Sequence, residues 1–294
     1  MIAQMLSRVK KERKAQIEKI TREVFPSLKP YRFRLGKAYF FAKIFVPYLT
    51  TAYGQPDKSL ISCGFTRLDL FTSTCFCLSW CVHPTDAYAQ EYENGQLGKT
   101  EMWYVLEAEP GASLYYGFTH EISKEEFERR IQDNTLTDVL NAVPVHKGDC
   151  FFIPSGTLHA IRKGIVVAEI QQNSNVTYRI YDYGRLGADG KPRQLHIPQA
   201  LDVTLREPPK AQDFHGHLAQ CDYFTVDAVE GGFEDVCDET SFTSLLVLEG
   251  KGTLTETATG ESLPIRKGQS LFLPAGTGAY AVTGTDLKCL RTRV

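Results

Sequence analysis

The 294-residue chain predicts an all-β protein of two small jelly-roll barrels, with a small helical insertion in the first and a helix at the N-terminus. Three observations carry that expectation. Runs rich in β-branched and aromatic residues recur from Glu101 onward, separated by turns bearing glycine and proline. One block occurs twice: Lys147-Gly148-Asp149-Cys150-Phe151-Phe152-Ile153-Pro154-Ser155-Gly156-Thr157 is matched, 120 residues later, by Lys267-Gly268-Gln269-Ser270-Leu271-Phe272-Leu273-Pro274-Ala275-Gly276-Thr277. Hydrophobic residues make up 43% of the chain, enough to fill two such cores and too many for a disordered polypeptide.

Residues 1 to about 30 read as a charged helix stopped by Pro26 and Pro30, and the basic run Arg8–Lys14 is its solvated face. From Tyr31 to Trp80 the pattern is irregular; Tyr39–Val46 could form strand. Thr85–Glu93 is expected to be a short helix closed by Asn94-Gly95. Glu101–Glu107 and Leu114–Phe118 read as strands. Ser123-Lys124-Glu125-Glu126 is a capping box that opens a helix through about Arg130, and residues 134–141 continue as a second helical piece. Cys150–Ile153, Ile165–Ile170 and Thr177–Tyr181 are strand-like. Leu186–Arg193 is a glycine-rich turn region, and the stretch from Pro208-Pro209 to Gln220 looks like a linker.

Upstream of the repeated block, Val105-Leu106-Glu107 matches Val247-Leu248-Glu249 at an offset of 142. The larger offset is accounted for by the helical insertion after Glu121 in the first copy. Strand, glycine turn, strand, Pro-x-Gly turn is the order of a small antiparallel jelly roll, the cupin barrel. The expected organisation is an N-terminal segment over 1–80, a metal-binding barrel over 81–205 with its insertion at about 122–141, a linker over 206–220, and a degenerate, metal-free barrel over 221–294.

Composition excludes several classes. The net charge of −2 gives no global drive toward nucleic acid or an anionic membrane. No apolar run reaches the roughly 18 residues a bilayer span needs. The first twenty residues lack the apolar middle of a secretory signal. Eight scattered cysteines then favour reduced thiols in a cytoplasmic protein.

Two imidazoles and a carboxylate stand out: His83 in Val82-His83-Pro84, Glu101 after Gly98-Lys99-Thr100, and His159 after Pro154-Ser155-Gly156-Thr157-Leu158. Such a set suits a divalent first-row metal with positions left open for substrate. A lone histidine is more often a hydrogen-bonded interior residue, and a lone Glu101 could be an outward strand-edge charge. Together, and with Ala279 at the repeat position of His159, they read as ligands. An inward Glu101 beside Met102-Trp103-Tyr104-Val105-Leu106 would be costly without a cation. Cys81 lies two residues before His83 and shares its face. Lys99 could contact an anionic group such as phosphate or be a solvated turn lysine. Arg179 could stabilise a developing oxyanion or pair with Asp182 or Glu169.

These segments, with Glu169-Ile170-Gln171-Gln172-Asn173-Ser174 and Tyr178-Arg179-Ile180-Tyr181-Asp182-Tyr183, resemble the short, two-barrel form of the mannose-6-phosphate isomerases. The likeness is strong from Val82 to about Thr204 and weaker to Val294. It implies one Zn2+ per chain held by His83, Glu101 and His159, Arg179 as the catalytic arginine, and a phosphorylated hexose as substrate. It implies interconversion of mannose 6-phosphate and fructose 6-phosphate through an enediol(ate). In the family the residue two before the first histidine ligand is usually a glutamine that also binds metal; here it is Cys81, a candidate fourth ligand. Residues 1–80 do not resemble the family's N-terminal strands, and the mismatch ends sharply at Cys81-Val82, as an altered reading frame or a fusion would make it. The rival readings are a non-catalytic sugar-phosphate-binding cupin, a degraded isomerase included, and an iron-dependent cupin oxygenase.

Overall fold

The computed structural model describes residues 49–50, 56–57, 66–73, 79–183 and 190–294. The expected N-terminal helix, the candidate strand Tyr39–Val46 and the first half of the turn region Leu186–Arg193 lie outside the described residues. Strands β1 (Leu49–Thr50) and β2 (Pro56–Asp57) form a short antiparallel ribbon. Strand β3 (Thr66–Ser73) joins the first barrel, which therefore draws on chain before residue 81.

That barrel is made of two antiparallel sheets. One runs in the order β3, β10 (Ile165–Gln172), β5 (Glu101–Ala108), β8 (Cys150–Ile153). The other runs β11 (Tyr178–Tyr181), β4 (Trp80–Val82), β9 (His159–Ile161), β6 (Ser113–Phe118), β7 (Leu140–Pro144). Side chains alternate between faces, so β5 serves two cores. From β5, Trp103 and Val105 enter the barrel with Leu114, Ile153, Ile161 and Val167. Its neighbours Met102 and Tyr104 point the opposite way, into a cluster with Phe224, Val226, Leu246 and Leu290 of the second barrel.

Helices cover the back of the second sheet. Helix α1 (Asp86–Tyr92) is capped by Thr85, whose hydroxyl accepts from the Tyr88 amide at 3.3 Å. It is followed by Asn94 and Gly95, both at positive φ (55° and 77°). Helix α2 (Lys124–Gln132) starts at the expected cap, with Ser123 Oγ accepting from the Glu126 amide at 3.1 Å. Phe127 of α2 and Ala200 and Leu201 of α3 (Ile197–Val203) pack on Trp80, Val82, Leu158, Tyr178 and Ile180.

One local expectation fails, and one helix was not anticipated. Residues 134–141 hold only a 3-10 turn, Leu136–Asp138, and the chain then runs straight into β7. Leu140 and Val143 find partners in Phe118 and Leu114 across the β6–β7 ladder, and that pairing overrides local helix preference. Pro144 is tolerated because β7 is an edge strand. Helix α3 was not expected. Its apolar positions Ile197, Ala200 and Leu201 have helical spacing, but seven residues make a helix only against a tertiary surface.

The second barrel contains β12 (Ala219–Cys221), β13 (Phe224–Glu230), β14 (Phe233–Cys237), β15 (Thr243–Glu256), β16 (Ser262–Arg266), β17 (Ser270–Leu273) and β18 (Gly278–Arg293). The long strands β15 and β18 pair with each other and carry the rest, with register shifts near Val247–Lys251 that bend the ladder. The repeat read from sequence is a repeat of hydrogen bonds. Gly148 N donates to Val105 O and Gly268 N to Val247 O, each at 2.8 Å; Thr157 N donates to Pro154 O and Thr277 N to Pro274 O, each at 3.1 Å.

Candidate metal centre

The two sheets of the first barrel deliver the three candidate ligands from opposite walls. Leu158, just before β9, and Ala160 on it face the helices, so His159 between them faces inward. Cys81 pairs in register with His159, and Trp80 and Val82 face outward, so the chain just past β4 brings His83 to the same interior. Glu101 begins β5 on the face of Trp103 and Val105. All three residues are buried.

Their atoms converge. His159 Nε2 lies 3.3 Å from Glu101 Oε1, and His83 Nε2 lies 3.6 Å from Glu101 Oε2. The ligand atoms of the three residues all lie within 4.8 Å of one another, the one such cluster among the described residues. Each imidazole is oriented from behind: His83 Nδ1 donates to Val176 O and His159 Nδ1 to Thr157 O, both at 2.9 Å. With Nδ1 carrying the proton, each Nε2 presents a lone pair to the carboxylate. Burial pushes the His83 pKa well below its ordinary value and that of His159 down to about 4, so both rings are neutral at pH 7.

Two lone pairs aimed at a buried carboxylate repel it unless a cation sits between them. Glu101 Oε2 makes no hydrogen bond of acceptable geometry, although Lys99 Nζ stands 2.7 Å away as an ion pair. The donor set is therefore fit for a divalent metal with open positions. The second barrel provides the internal control. Gly156 N donates to His83 O as Gly276 N donates to Asp238 O, Glu101 pairs with Ile153 as Thr243 pairs with Leu273, and His159 occupies the place of Ala279. Asp238, Thr243 and Ala279 hold no comparable ligand set.

Lys99 is buried between two carboxylates, 2.7 Å from Glu101 Oε2 and 3.2 Å from Glu169 Oε1. Burial works against its charge, but the two carboxylates outweigh burial and hold its pKa above the usual lysine range. Glu169 is a functional candidate that the sequence reading considered only as an ion-pair partner. It lies on β10 on the inward face of Ile165 and Val167, and burial, reinforced by Glu101, raises its pKa to about 7. The period-two continuation from Ile165 through Val167 and Glu169 to Gln171 was the available signal.

Arg179 pairs in register with Cys81 on the inward side of β11. Its charge is felt at both Cys81 and His83. Asp182 pairs with Arg193 and Glu169 with Lys99, and among the described residues no carboxylate pairs with Arg179. The Cys81 thiol contacts Ser79 Oγ at 3.2 Å and does not belong to the three-ligand cluster; burial raises its pKa, which keeps it a neutral thiol.

The family profile of the mannose-6-phosphate isomerase cupin domain matches residues 215–294. The mannose-6-phosphate isomerase of Streptococcus mutans is 41% identical over 224 residues, 72% of this chain and 69% of the relative. The mannose-6-phosphate isomerase ManA of Bacillus subtilis is 38% identical over 219 residues, 70% of this chain and 68% of the relative. The chain belongs to the mannose-6-phosphate isomerase family. A crystal structure of the Bacillus subtilis mannose 6-phosphate isomerase superposes with a TM-score of 0.71 at 33% identity, covering 79% of this chain and 76% of that one. The family profile falls on the second barrel, the half in which the sequence motifs of mannose-6-phosphate isomerases were weaker. No helix among the described residues is long and apolar enough to cross a membrane.

Proposed function

We propose that the chain interconverts mannose 6-phosphate and fructose 6-phosphate, using one zinc ion held by His83, Glu101 and His159. The observation that carries this reading is the convergence of two neutral imidazole Nε2 atoms on a buried carboxylate, in a chain of this family. Zinc, when bound, supplies Lewis-acid polarisation of sugar oxygens, which favours proton transfer between neighbouring carbons through an enediol(ate).

The chain's residues divide the remaining work. The Arg179 guanidinium offers positive charge on the inward face, where oxygen becomes negative during the reaction. Lys99 keeps Glu101 and Glu169 apart. An ammonium has three donors, and one of them goes to Glu169 Oε1 at 3.2 Å, so a donor remains for a substrate oxygen beside the Glu101 ion pair. Glu169, whose proton affinity is near neutrality, suits the exchange of a proton at its carboxyl oxygen. Cys81 stays outside the ligand set as a thiol and lines the wall beside His159. The five described free cysteines suit a reducing cytoplasm.

The test is a coupled assay for fructose 6-phosphate formed from mannose 6-phosphate by the full-length chain, before and after chelation. Activity that is lost with chelator and restored by zinc is expected. Turnover that survives complete removal of metal would refute the reading, and sugar-phosphate binding without turnover would favour the non-catalytic alternative.

A further inference from the structure

Tyr223 stands in the turn between β12 and β13 of the second barrel, and its hydroxyl reaches the first. It donates to Asp86 Oδ2 at 2.7 Å. Asp86 is the first residue of α1. Its other oxygen, Oδ1, accepts from the Gly98 amide at 2.7 Å and from Gln172 Nε2 at 2.6 Å. Gln172 is fastened to Thr100 twice, its amide donating to Thr100 O at 2.8 Å and its Oε1 accepting from Thr100 N at 3.2 Å. Gly98 and Thr100 flank Lys99, and Thr100 precedes Glu101. One carboxylate thus gathers the segment that carries both the metal-facing glutamate and its lysine.

We propose that Tyr223 is a positioning residue for the centre of the first barrel: its hydroxyl fixes the Asp86 carboxylate, which in turn sets the Gly98–Glu101 segment. Without that donor, Oδ2 loses its partner and the carboxylate is free to turn about its Cβ–Cγ bond. The geometry at Oδ1 then loosens, and the position of Glu101 loosens with it. Burial, and then the hydrogen bond to Asp86, raises the Tyr223 pKa, so the hydroxyl remains a donor throughout the neutral range. The turn that carries it is anchored by packing. Tyr223 lies against the cluster that joins Met102 and Tyr104 to Phe224 and Leu290, and Met102 and Tyr104 alternate along β5 with Glu101 and Trp103. A barrel with no ligand set of its own would thereby hold the ligand set of its neighbour in place.

This inference rests on the reading of His83, Glu101 and His159 as the working metal centre. It is tested on the full-length chain with Tyr223→Phe, Asp86→Asn and the double variant. Zinc Kd is read by competition with a chromophoric chelator, kcat and KM for mannose 6-phosphate by coupled assay, and Tm on the metal-free chain. Losing one hydrogen bond to a charged group should raise zinc Kd and lower kcat by roughly three- to tenfold, with KM moving by less than about twofold. The phenylalanine keeps the ring contacts, so Tm should move by no more than about 2 °C. Tyr223→Phe should add nothing further in the Asp86→Asn background. Unchanged zinc affinity in Tyr223→Phe, or effects that multiply in the double variant, would overturn the proposal. A fall in zinc affinity in a chain that never isomerises the sugar would support it while refuting the catalytic reading.

Discussion

A histidine that donates through Nδ1 to a main-chain carbonyl has Nε2 left as its acceptor, and this chain does so twice within one buried space. Those residues were legible in the sequence because each sits in a turn or strand start that fixes its direction: His83 before Pro84, His159 after a Pro-Ser-Gly-Thr turn, Glu101 at the head of an apolar strand. Glu169 and Tyr223 were harder to find. The role of Glu169 follows from what lies across the barrel, and that of Tyr223 from how two barrels dock, neither of which a local pattern encodes. Arg179 illustrates the same limit. Its alternative as a cross-strand ion-pair residue is removed only once Asp182 and Glu169 are seen to be engaged elsewhere. Arg179→Ala should therefore lower kcat by about 100-fold or more while zinc content, read by elemental analysis, stays at the wild-type level. A variant with full turnover would take Arg179 out of the reaction.

At the scale of elements, the site depends on the close approach of two chain segments. Gly98 lies against the backbone of Pro84, Thr85 and Asp86 so tightly that a Cβ there would fall well inside van der Waals contact with main-chain atoms. Lys99 N donates to Pro84 O at 3.1 Å, which locks the same two segments together. Backbone cannot swing aside as a side chain can, so Gly98→Ala should cost about 1–3 kcal/mol in stability and displace Lys99 and Glu101 together. The expected readouts are a lower denaturant midpoint and weaker zinc binding; wild-type zinc affinity in a folded Gly98→Ala chain would contradict this account. Elements with their own signals, such as the capped helices α1 and α2 and the repeated turns, were readable in the sequence. Strand β7 and helix α3 were not, because each owes its state to a partner surface: β6 for the strand, the back of β4 and β11 for the helix.

For the whole molecule, the buried charges set a pH dependence in the absence of metal. His83 and His159 have lowered pKa values when folded, His159 falling from 6.5 to about 4, so on acidification the unfolded chain takes up protons first. Their contribution to stability is present above pH 6.5 and is lost as pH falls below it, for His159 down to about 4. Glu169 acts in the opposite sense. Its pKa rises from 4.5 to about 7 on folding, so its contribution is present at low pH and is lost as pH rises through 7. Two histidines outweigh one carboxylate, and the metal-free chain should melt at a higher temperature at about pH 6.5 than at about pH 5. His159→Gln should flatten that slope; a Tm that climbs on acidification would contradict the assigned burial. The expectation of two barrels was met at this scale because the repeat marks both copies, whereas their docking across Met102, Tyr104, Phe224 and Leu290 was not foreseen.

The claim on which all three scales rest is that one cation is shared by His83, Glu101 and His159. The most direct measurement is anomalous X-ray diffraction at the zinc absorption edge from crystals of the full-length chain grown with zinc. The account expects a single strong peak at about 2.0–2.2 Å from both Nε2 atoms and a Glu101 carboxylate oxygen. A peak elsewhere, or none between the two imidazoles, would contradict it.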